Sequence, residues 1–485
     1  MIESQIKYAE LHCHSHFSFK EGASSVEALS NRASELGYVG LALTDHDNLS
    51  GAMQFSHACQ SAGIHGIIGA EVTVTGGDHI TLLSESSEGY SNLCKLLSLS
   101  HIFSPSQQTP ELDLNLLPKH ADGLIMLSGC RKGEIPRLLI EGKHIEAQHA
   151  AQRYAEYFGV DRFFIEMQHN LVKGDIRRNI NLATLATHLG LGMVASNNVH
   201  YHIRQSHQLH DCLISIRERK SLEETHRERR ANSEFFLKSP LEMSILFHEW
   251  PDAIQNTAKI AERCNFNLTQ DLKYQFPEYE PPEGYSPENY LKKLCYEAAR
   301  RRYGSITNLV DTRLKEEFRL IKKHKLAGFL LHYHDIVQLA RKVMIDMGLS
   351  HPEVPLEERP PGRGRGSSVA LLIGYLIGLS HIDPLKYDLS LERFLPDDLM
   401  TIALDIDLDF PRDIRERLIL SIHQEWGWDR AVLTGMHSRY KIKSAIRDLG
   451  RTLGLQAEQV DQLAKRVDNT PATKLSSQMQ GLPEF

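Results

Sequence analysis

Two short motifs carry residue types that can bind phosphate and divalent metal. The first, Gly362–Ser368, alternates Gly with Arg and ends in two Ser, and the second, Leu404–Phe410, alternates apolar residues with three Asp. Backbone N–H groups of a Gly-rich loop can approach an anion closely, and Arg adds bidentate contacts to phosphate. Three carboxylates on one face of a strand repel one another unless cations lie there, and Mg²⁺ prefers such oxygen ligands. Together the motifs predict a site for nucleotidyl transfer.

Each motif also has a plainer interpretation. A Gly/Arg loop can be no more than a flexible basic loop, and a strand with three Asp can be a solvated edge strand. In the functional interpretation, a helix that begins at Ser367 or Ser368 would point its N-terminus at the bound phosphate.

A second set of ligand-type residues lies near the start of the chain. His12 and His14 alternate along a predicted strand, so their side chains lie on one face. Other candidate ligands follow later apolar runs, as His46, Glu71 and Cys130 do. The carboxyl ends of barrel strands converge on one face, so these residues predict a multinuclear metal site. His-x-His alone has a structural or surface explanation about half the time, but ligand-type residues at several separate strand ends favour the metal site.

Alternating apolar runs and amphipathic stretches must position these residues. The runs at 37–44, 64–70, 123–128 and 191–196 each follow a helix-like segment, which predicts an α/β barrel or a doubly wound sheet. The Pro-rich residues 276–288 predict a linker, and a charged helical stretch follows from Asn289.

The bulk composition is that of an ordinary globular protein. The chain has 485 residues, of which 41% are hydrophobic and 24% charged, and its formal net charge is −7. This charge excludes a uniformly basic nucleic-acid coat, although it permits a local basic groove. The seven Cys include no CxxC pair, which favours a reducing compartment. We expect a cytoplasmic protein because no segment reads as a signal peptide or a membrane span.

The N-terminal motif Glu10–His16 and the ligand-type residues after it resemble the PHP (polymerase and histidinol phosphatase) domain over about residues 7–205. The resemblance implies a distorted (β/α)7 barrel that binds a zinc or manganese cluster for phosphoester hydrolysis. Glu21 lies where the family usually has Asp, and Asn198 where some members have Asp. Carried over residue by residue, the implied ligands are His12, His14, Glu21, His46, Glu71, His79, Cys130, Asn198 and His200.

The Gly-Arg loop and the Asp strand resemble the bacterial C-family DNA polymerases, the polymerase III alpha family. Asp405 and Asp407 match the residues that hold Mg²⁺ for catalysis, and Asp409 is a neighbour. The Leu11–His14 motif and the Pro281–Tyr285 segment look more like the error-prone branch of the family. The resemblance also implies that the phosphates of the nucleotide bind to Gly364, Arg365, Gly366, Ser367 and Arg393.

The predicted organisation is a PHP domain at 1–270, a linker at 271–288, an α+β palm at 289–435 and the start of a helical thumb at 436–485. Basic residues of the last segment, Arg439, Lys441 and Lys443, are predicted to grip the DNA backbone. No strand resembling the one that carries the family's third catalytic Asp follows. We therefore expect an N-terminal portion of such a polymerase, incomplete for synthesis by itself.

The leading hypothesis is an error-prone, DNA-repair polymerase that adds dNTPs to primed DNA through two Mg²⁺ ions. A sliding clamp and translesion accessory proteins are further expected partners, through regions that this chain lacks. One alternative is a PHP phosphoesterase or 3′–5′ exonuclease with a remnant palm. The other is a scaffold that binds DNA or protein without chemistry.

Overall fold

The computed structural model describes residues 6–104, 109–272, 276–391, 405–428 and 430–467, without the side chain of Ser367. These residues form two compact units. One, here the N-terminal unit, comprises residues 1–272 together with 439–485, and the other, the central unit, comprises residues 273–438. The last segment thus groups with the first domain, whereas the sequence places it after the palm as a separate thumb. The predicted domain boundaries remain predictions.

A seven-stranded sheet forms the core of the N-terminal unit. Its strands lie side by side in chain order, and most pairs are parallel. An isolated parallel bridge between Cys13 and Val199, just past the ends of the first and last strands, brings the sheet close to closure. This is the α/β barrel that the sequence predicts. The strands are β1 (Ala9–Glu10), β2 (Gly40–Leu43), β3 (Gly66–Val74), β4 (Asp78–Ser84), β5 (Leu124–Leu127), β6 (Phe163–Gln168) and β7 (Gly192–Ser196).

Strand β4 departs from the parallel pattern, because it runs antiparallel to both β3 and β5. Gly76 and Gly77 connect β3 to β4 and have φ angles of 98° and 82°, which residues with a Cβ rarely adopt. This tight connection leaves no room for a crossover helix, so β4 must turn back along β3. As a result His79, at the start of β4, lies at the same end of the barrel as the carboxyl ends of the parallel strands.

Helices cover the strands, and their ends follow ordinary sequence signals. Ser25 caps the first helix by accepting a hydrogen bond from the N–H of Ala28, and Gly63 ends the second in a left-handed conformation. The helices up to residue 272 are α1 (Val26–Glu35), α2 (Ala52–Ala62), α3 (Ser87–Phe103), α4 (Glu134–Ile140), α5 (His144–Phe158), α6 (Asp175–Leu189), α7 (His207–Glu218), α8 (Pro240–Leu246) and α9 (Pro251–Arg263).

The central unit is mainly helical and contains one short two-stranded sheet. Residues 276–286 contain no helix or strand, as a linker would, and the first helix begins at Pro287. The helices are α10 (Pro287–Tyr303), α11 (Asn308–Lys323), α12 (Ala327–Asp346), α13 (Leu372–Leu376) and α14 (Arg415–Trp426). The strands are β8 (Arg363–Arg365) and β9 (Asp407–Asp409), which pair antiparallel. One apolar cluster, with Leu314, Leu330 and Leu372 at its centre, joins α10 to α13.

Two helices beyond residue 438, α15 (Ile442–Thr452) and α16 (Ala457–Arg466), complete the N-terminal unit. Helix α15 packs against α7, and the N–H of Leu222 donates to the carbonyl of Thr452 at 3.0 Å. The side chain of Thr452 is buried. In the described part of the chain, no helix is both long and apolar enough to cross a membrane.

Candidate functional site

The barrel end that carries the carboxyl ends of the parallel strands collects all nine predicted metal ligands. Among the described residues, two triads place their donor atoms within 4.8 Å of one another: His12, His14 and Glu71, and His46, Glu71 and His79. The Sγ of Cys130 lies 3.7 Å from Nδ1 of His79. Ligand-type residues at strand ends predicted a gathering of this kind, and the resemblance to the PHP domain implied these nine residues.

Glu71 belongs to both triads. Its Oε1 lies 3.3 Å from Nε2 of His12 and 3.1 Å from Nδ1 of His79. Its Oε2 lies 3.6 Å from Nε2 of His14 and 3.1 Å from Nδ1 of His46. Burial opposes ionisation of the carboxyl, but His79, His12 and His46 outweigh it and hold the pKa of Glu71 well below its ordinary value. A carboxylate in this position can bridge two cations.

Hydrogen bonds on the far side of the rings orient His12 and His14. The Nδ1–H of His12 donates to Glu166 at 2.7 Å, and that of His14 donates to Ser18 at 3.0 Å. Ser18 in turn donates to Asp45 at 2.7 Å. Each ring therefore directs its Nε2 lone pair at the cluster, the arrangement that metal-binding histidines need. Burial disfavours a charged His12, but the Glu166 carboxylate outweighs it and raises the pKa of His12 to about 10 in the metal-free state.

Several buried donor atoms of the cluster make no hydrogen bond within the described residues. Buried polar groups in proteins are nearly always paired, so a group of unpaired atoms with ligand chemistry is what a metal-binding site would present. The donor set of imidazole, carboxylate, amide and thiol suits zinc or manganese. The unpaired atoms are Nε2 of His12, Nε2 of His14, Nδ1 of His46, Oε1 of Glu71 and Oδ1 of Asn198.

The three remaining predicted ligands lie on one side of the cluster. Glu21 has Oε2 at 3.5 Å from Nδ1 of His46. Asn198 is buried in a left-handed conformation with a φ of 46°. His200 stacks on His14 with ring centroids 4.5 Å apart, and its Nδ1–H donates to the carbonyl of Glu21 at 3.2 Å. Two arginines, Arg217 and Arg230, contact Glu21 and His200 respectively.

A cavity of about 650 Å³ opens beside the cluster, and its walls are rich in charge. Its lining includes eight Arg and Lys residues and four Asp and Glu residues, one of which is Glu21. Three other predicted ligands also line it, namely Cys130, Asn198 and His200. A cavity with this excess of basic groups beside a metal cluster suits a phosphate ester.

Several residues that shape this site were not predicted. Glu166 is the one polar residue in the apolar part of β6, Phe-Phe-Ile-Glu-Met, and such a position is a usable signal for a group that faces a site. Asp45 is the residue directly before the predicted ligand His46. Arg217 and Arg230 gave no signal, because nothing local in helix α7 or the loop after it indicates that they return to the barrel mouth.

In the central unit, the Gly-Arg loop and the Asp strand lie side by side. The β8–β9 register pairs Arg363 with Asp409, Gly364 with Leu408 and Arg365 with Asp407. Asp405, Asp407 and Asp409 are exposed, whereas Ile406 is buried, so the alternation read from the sequence holds. The Nε of Arg365 lies 2.9 Å from Asp409 Oδ2, and both side chains are more than half exposed.

The phosphate side of this arrangement differs from the sequence prediction in one respect. Residues Gly366–Ala370 form a 3₁₀ turn, and helix α13 begins only at Leu372. The N–H groups of Leu372 and Ile373 both donate to the buried carboxylate of Glu317 at 2.8 Å. The N-terminus of α13 is therefore occupied within the protein, and the expectation that an α-helix begins at Ser367 or Ser368 is wrong.

The glycines of the loop make close backbone packing possible. A Cβ on Gly364 would lie 2.7 Å from the carbonyl oxygen of Leu379, which accepts a hydrogen bond from the N–H of Gly364 at 2.8 Å. Gly366 has a φ of 71°. Arg393, which the sequence places near the nucleotide, lies outside the described residues, as does Leu404.

The predicted DNA-contacting residues belong to the N-terminal unit. Arg439 and Lys441 are exposed in an irregular segment, and half-buried Lys443 lies in the first turn of α15. The sequence predicted one helical segment here, whereas the described residues form two helices joined by a short turn.

Family models match two separate parts of the chain. Residues 10–170 match the family model of the PHP domain, and residues 289–485 match that of the bacterial DNA polymerase III alpha NTPase domain. An amidohydrolase structure from Chromobacterium violaceum covers 40% of this chain and 88% of its own, with a TM-score of 0.31 and 17% identity.

Curated relatives match along nearly the whole chain. An error-prone DNA polymerase of Symbiobacterium thermophilum is 35% identical over 99% of this chain and 44% of its own length. A DNA polymerase III subunit alpha of Treponema pallidum is 32% identical over 96% of this chain and 40% of its own. The chain thus spans less than half the length of these relatives. On these matches, residues 10–170 are similar to PHP domains, residues 289–485 are similar to the bacterial DNA polymerase III alpha domain, and the chain as a whole is similar to proteins named error-prone DNA polymerase.

Proposed function

We propose that this chain supplies the palm and the PHP domain of an error-prone DNA polymerase that adds dNTPs to primed DNA in DNA repair. The observation that carries the proposal is the pairing of β8 with β9, which sets the Gly-Arg loop beside the Asp strand. Phosphoryl transfer needs this proximity, because the metal ligands and the phosphate-binding groups must act on the same phosphates. Contacts with a sliding clamp and with translesion accessory proteins remain expectations from the family resemblance.

The palm residues have distinct proposed roles. Asp405 and Asp407 hold Mg²⁺, which stabilises the charge on the transferring phosphate. Arg365 contacts the phosphates of the nucleotide, with Gly364, Gly366, Ser367 and Arg393 around it. The ion pair of Arg365 with Asp409 is exposed to solvent and therefore weak, so a triphosphate can compete for the guanidinium group.

Primer extension by the full-length polymerase tests the metal assignment. Asp405→Asn and Asp407→Asn should each lower the extension rate about 10³-fold, since each removes a metal contact that contributes several kcal/mol. Asp409→Asn, on the same face of the strand, is the matched control and should change the rate far less. Equal loss in all three variants would contradict the assignment of Asp405 and Asp407 as the metal pair.

A second candidate function belongs to the N-terminal unit. We propose that its cluster binds zinc or manganese ions and hydrolyses a phosphoester, as a 3′–5′ exonuclease does. The unpaired donor atoms and the basic cavity beside them favour this role over a scaffold without chemistry. Incubation of the protein with 5′-labelled single-stranded DNA and Mn²⁺ tests it. Strand shortening should occur and should disappear in His12→Ala, and DNA left intact by the metal-loaded protein would contradict the hydrolytic role.

A further inference from the structure

Arg217 and Arg230 approach the cluster from outside the barrel strands. Arg217 is in the last turn of α7, and Arg230 lies in the loop between α7 and α8. Both line the cavity beside the cluster. Each contacts a different predicted metal ligand.

Arg217 engages the carboxylate of Glu21. Its Nη1 bonds Oε1 of Glu21, and its Nε bonds Glu218 at 3.0 Å, so the guanidinium group is held from two sides. Glu21 Oε2 faces His46 at 3.5 Å, which is longer than the 3.1 Å contact between His46 and Glu71. The closer contact of the Glu21 carboxylate is therefore with Arg217 rather than with His46.

Arg230 engages the ligating atom of His200. Its Nη2 donates to Nε2 of His200, while the Nδ1–H of the ring donates to the carbonyl of Glu21. Both nitrogens of the buried ring are therefore in use. The Arg230 guanidinium group also lies over the ring of Phe235, at 4.8 Å from its centroid, which holds it in place.

These contacts tie one oxygen of Glu21, the carboxylate on this side of the cluster, to an arginine and leave its Oε2 facing His46. Asn198 keeps a free Oδ1 but contributes no charge. A divalent ion placed between Glu21 and His200 would meet two guanidinium groups at contact distance, and like charges there repel strongly. The two triads around Glu71 differ in this respect, because their donor atoms lie within 4.8 Å of one another, whereas the arginine contacts described above are with Glu21 and His200.

We propose that Arg217 and Arg230 take the place of a metal ion at Glu21 and His200, so that the cluster holds two ions, both bound to Glu71. The proposal rests on the metal-binding role of the N-terminal unit proposed above. The cationic charge on this side then comes from the protein itself, independent of metal supply.

Metal content of the purified, metal-saturated protein tests this directly. Mass spectrometry of the metals, in chains that also carry Asp405→Asn and Asp407→Asn so that the palm holds no ion, should find two ions per chain with both arginines present and three in the Arg217→Gln/Arg230→Gln double variant. Arg227→Gln is the matched control, because Arg227 lines the same cavity, is exposed and makes no ion pair with described residues. Three ions with both arginines present, or two in the double variant, would overturn the proposal. A chain with both arginines that binds no ion would contradict the metal-binding role itself.

A second pair of variants avoids any dependence on the fold of the double variant. Glu21→Gln, in chains with the same two palm substitutions, should still bind two ions, because Glu21 is not a ligand in this arrangement. Glu71→Gln should lose at least one ion, because both ions share that carboxylate. Loss of an ion in Glu21→Gln would overturn the proposal even if the arginine variants fail to fold.

Discussion

Each carboxylate oxygen of Glu71 faces one histidine from each triad. The residue types of this cluster were readable from the sequence, because His, Glu and Cys at strand ends are typical of metal sites. The hydrogen bonds that orient these ligands could not be predicted from the sequence. The hydrogen bond from His12 to Glu166 joins residues 154 positions apart, and only the barrel brings them together.

Glu166→Gln should weaken metal binding about 10–100-fold, the usual effect of losing a charged partner behind a ligating histidine. The side chain keeps its shape, but it no longer increases the basicity of His12. Competition with a chromogenic chelator measures the change. Glu146→Gln, an exposed position on α5, is the control and should leave the affinity unchanged. Unaltered affinity in Glu166→Gln would mean that His12 does not bind the ion.

Among the elements, strands β2, β3, β5 and β7 were foreseen from their apolar runs. Strand β4 was not, because its direction is set by the Gly76–Gly77 connection rather than by hydrophobicity. Helix α13 was placed too early, because the groups that satisfy its N-terminus come from α11, 55 residues earlier in the chain. A cap from a distant element leaves no local sequence signal.

Glu317→Ala should destabilise the protein by about 3 kcal/mol, since two N–H donors lose a charged acceptor inside the protein. Urea unfolding measures the loss. Glu316→Ala is the neighbouring control on α11. Its ion pair with Arg319 is about half exposed, so its removal should cost less than about 1 kcal/mol. Similar losses in both variants would show that the cap adds nothing beyond a surface contact.

Gly364→Ala should disrupt the β8–β9 pair, because the new methyl group would overlap the carbonyl of Leu379. We expect primer extension by the full-length polymerase to fall sharply, together with a stability loss of about 1–3 kcal/mol. Gly435→Ala is the control, since a Cβ there has no neighbour within 4 Å. Full activity of Gly364→Ala would contradict the proposal that this loop binds the phosphates of the nucleotide.

For the molecule as a whole, local patterns predicted the α/β class of the N-terminal part, and the family resemblance supplied the barrel, the palm and the thumb. They did not reveal that α15 returns to the barrel domain, since the contact with α7 involves residues more than 200 positions apart. The basic residues just before α15 therefore extend from the N-terminal unit.

If Arg439, Lys441 and Lys443 contact DNA phosphates, their joint replacement by Gln should weaken binding to primer–template DNA of any sequence. The slope of log affinity against log salt should become shallower by up to about 3, roughly 0.9 for each lost contact. Fluorescence anisotropy at several salt concentrations measures it. An unchanged slope would remove these residues from the DNA interface. The control is a triple replacement of exposed lysines of the same unit, namely Lys7, Lys119 and Lys259.

The return of α15 to α7 also has a consequence for biosynthesis. The N-terminal unit is interrupted in the chain by the whole of the central unit, residues 273–438. At ribosomal rates of about 5–20 residues per second, the α7 surface that later covers Thr452 must wait on the order of 10–45 s for its partner helix to emerge. During that interval the nascent barrel exposes an unfilled docking face, so a chaperone that engages stalled chains should bind those ending before residue 439 more strongly than those ending after residue 467.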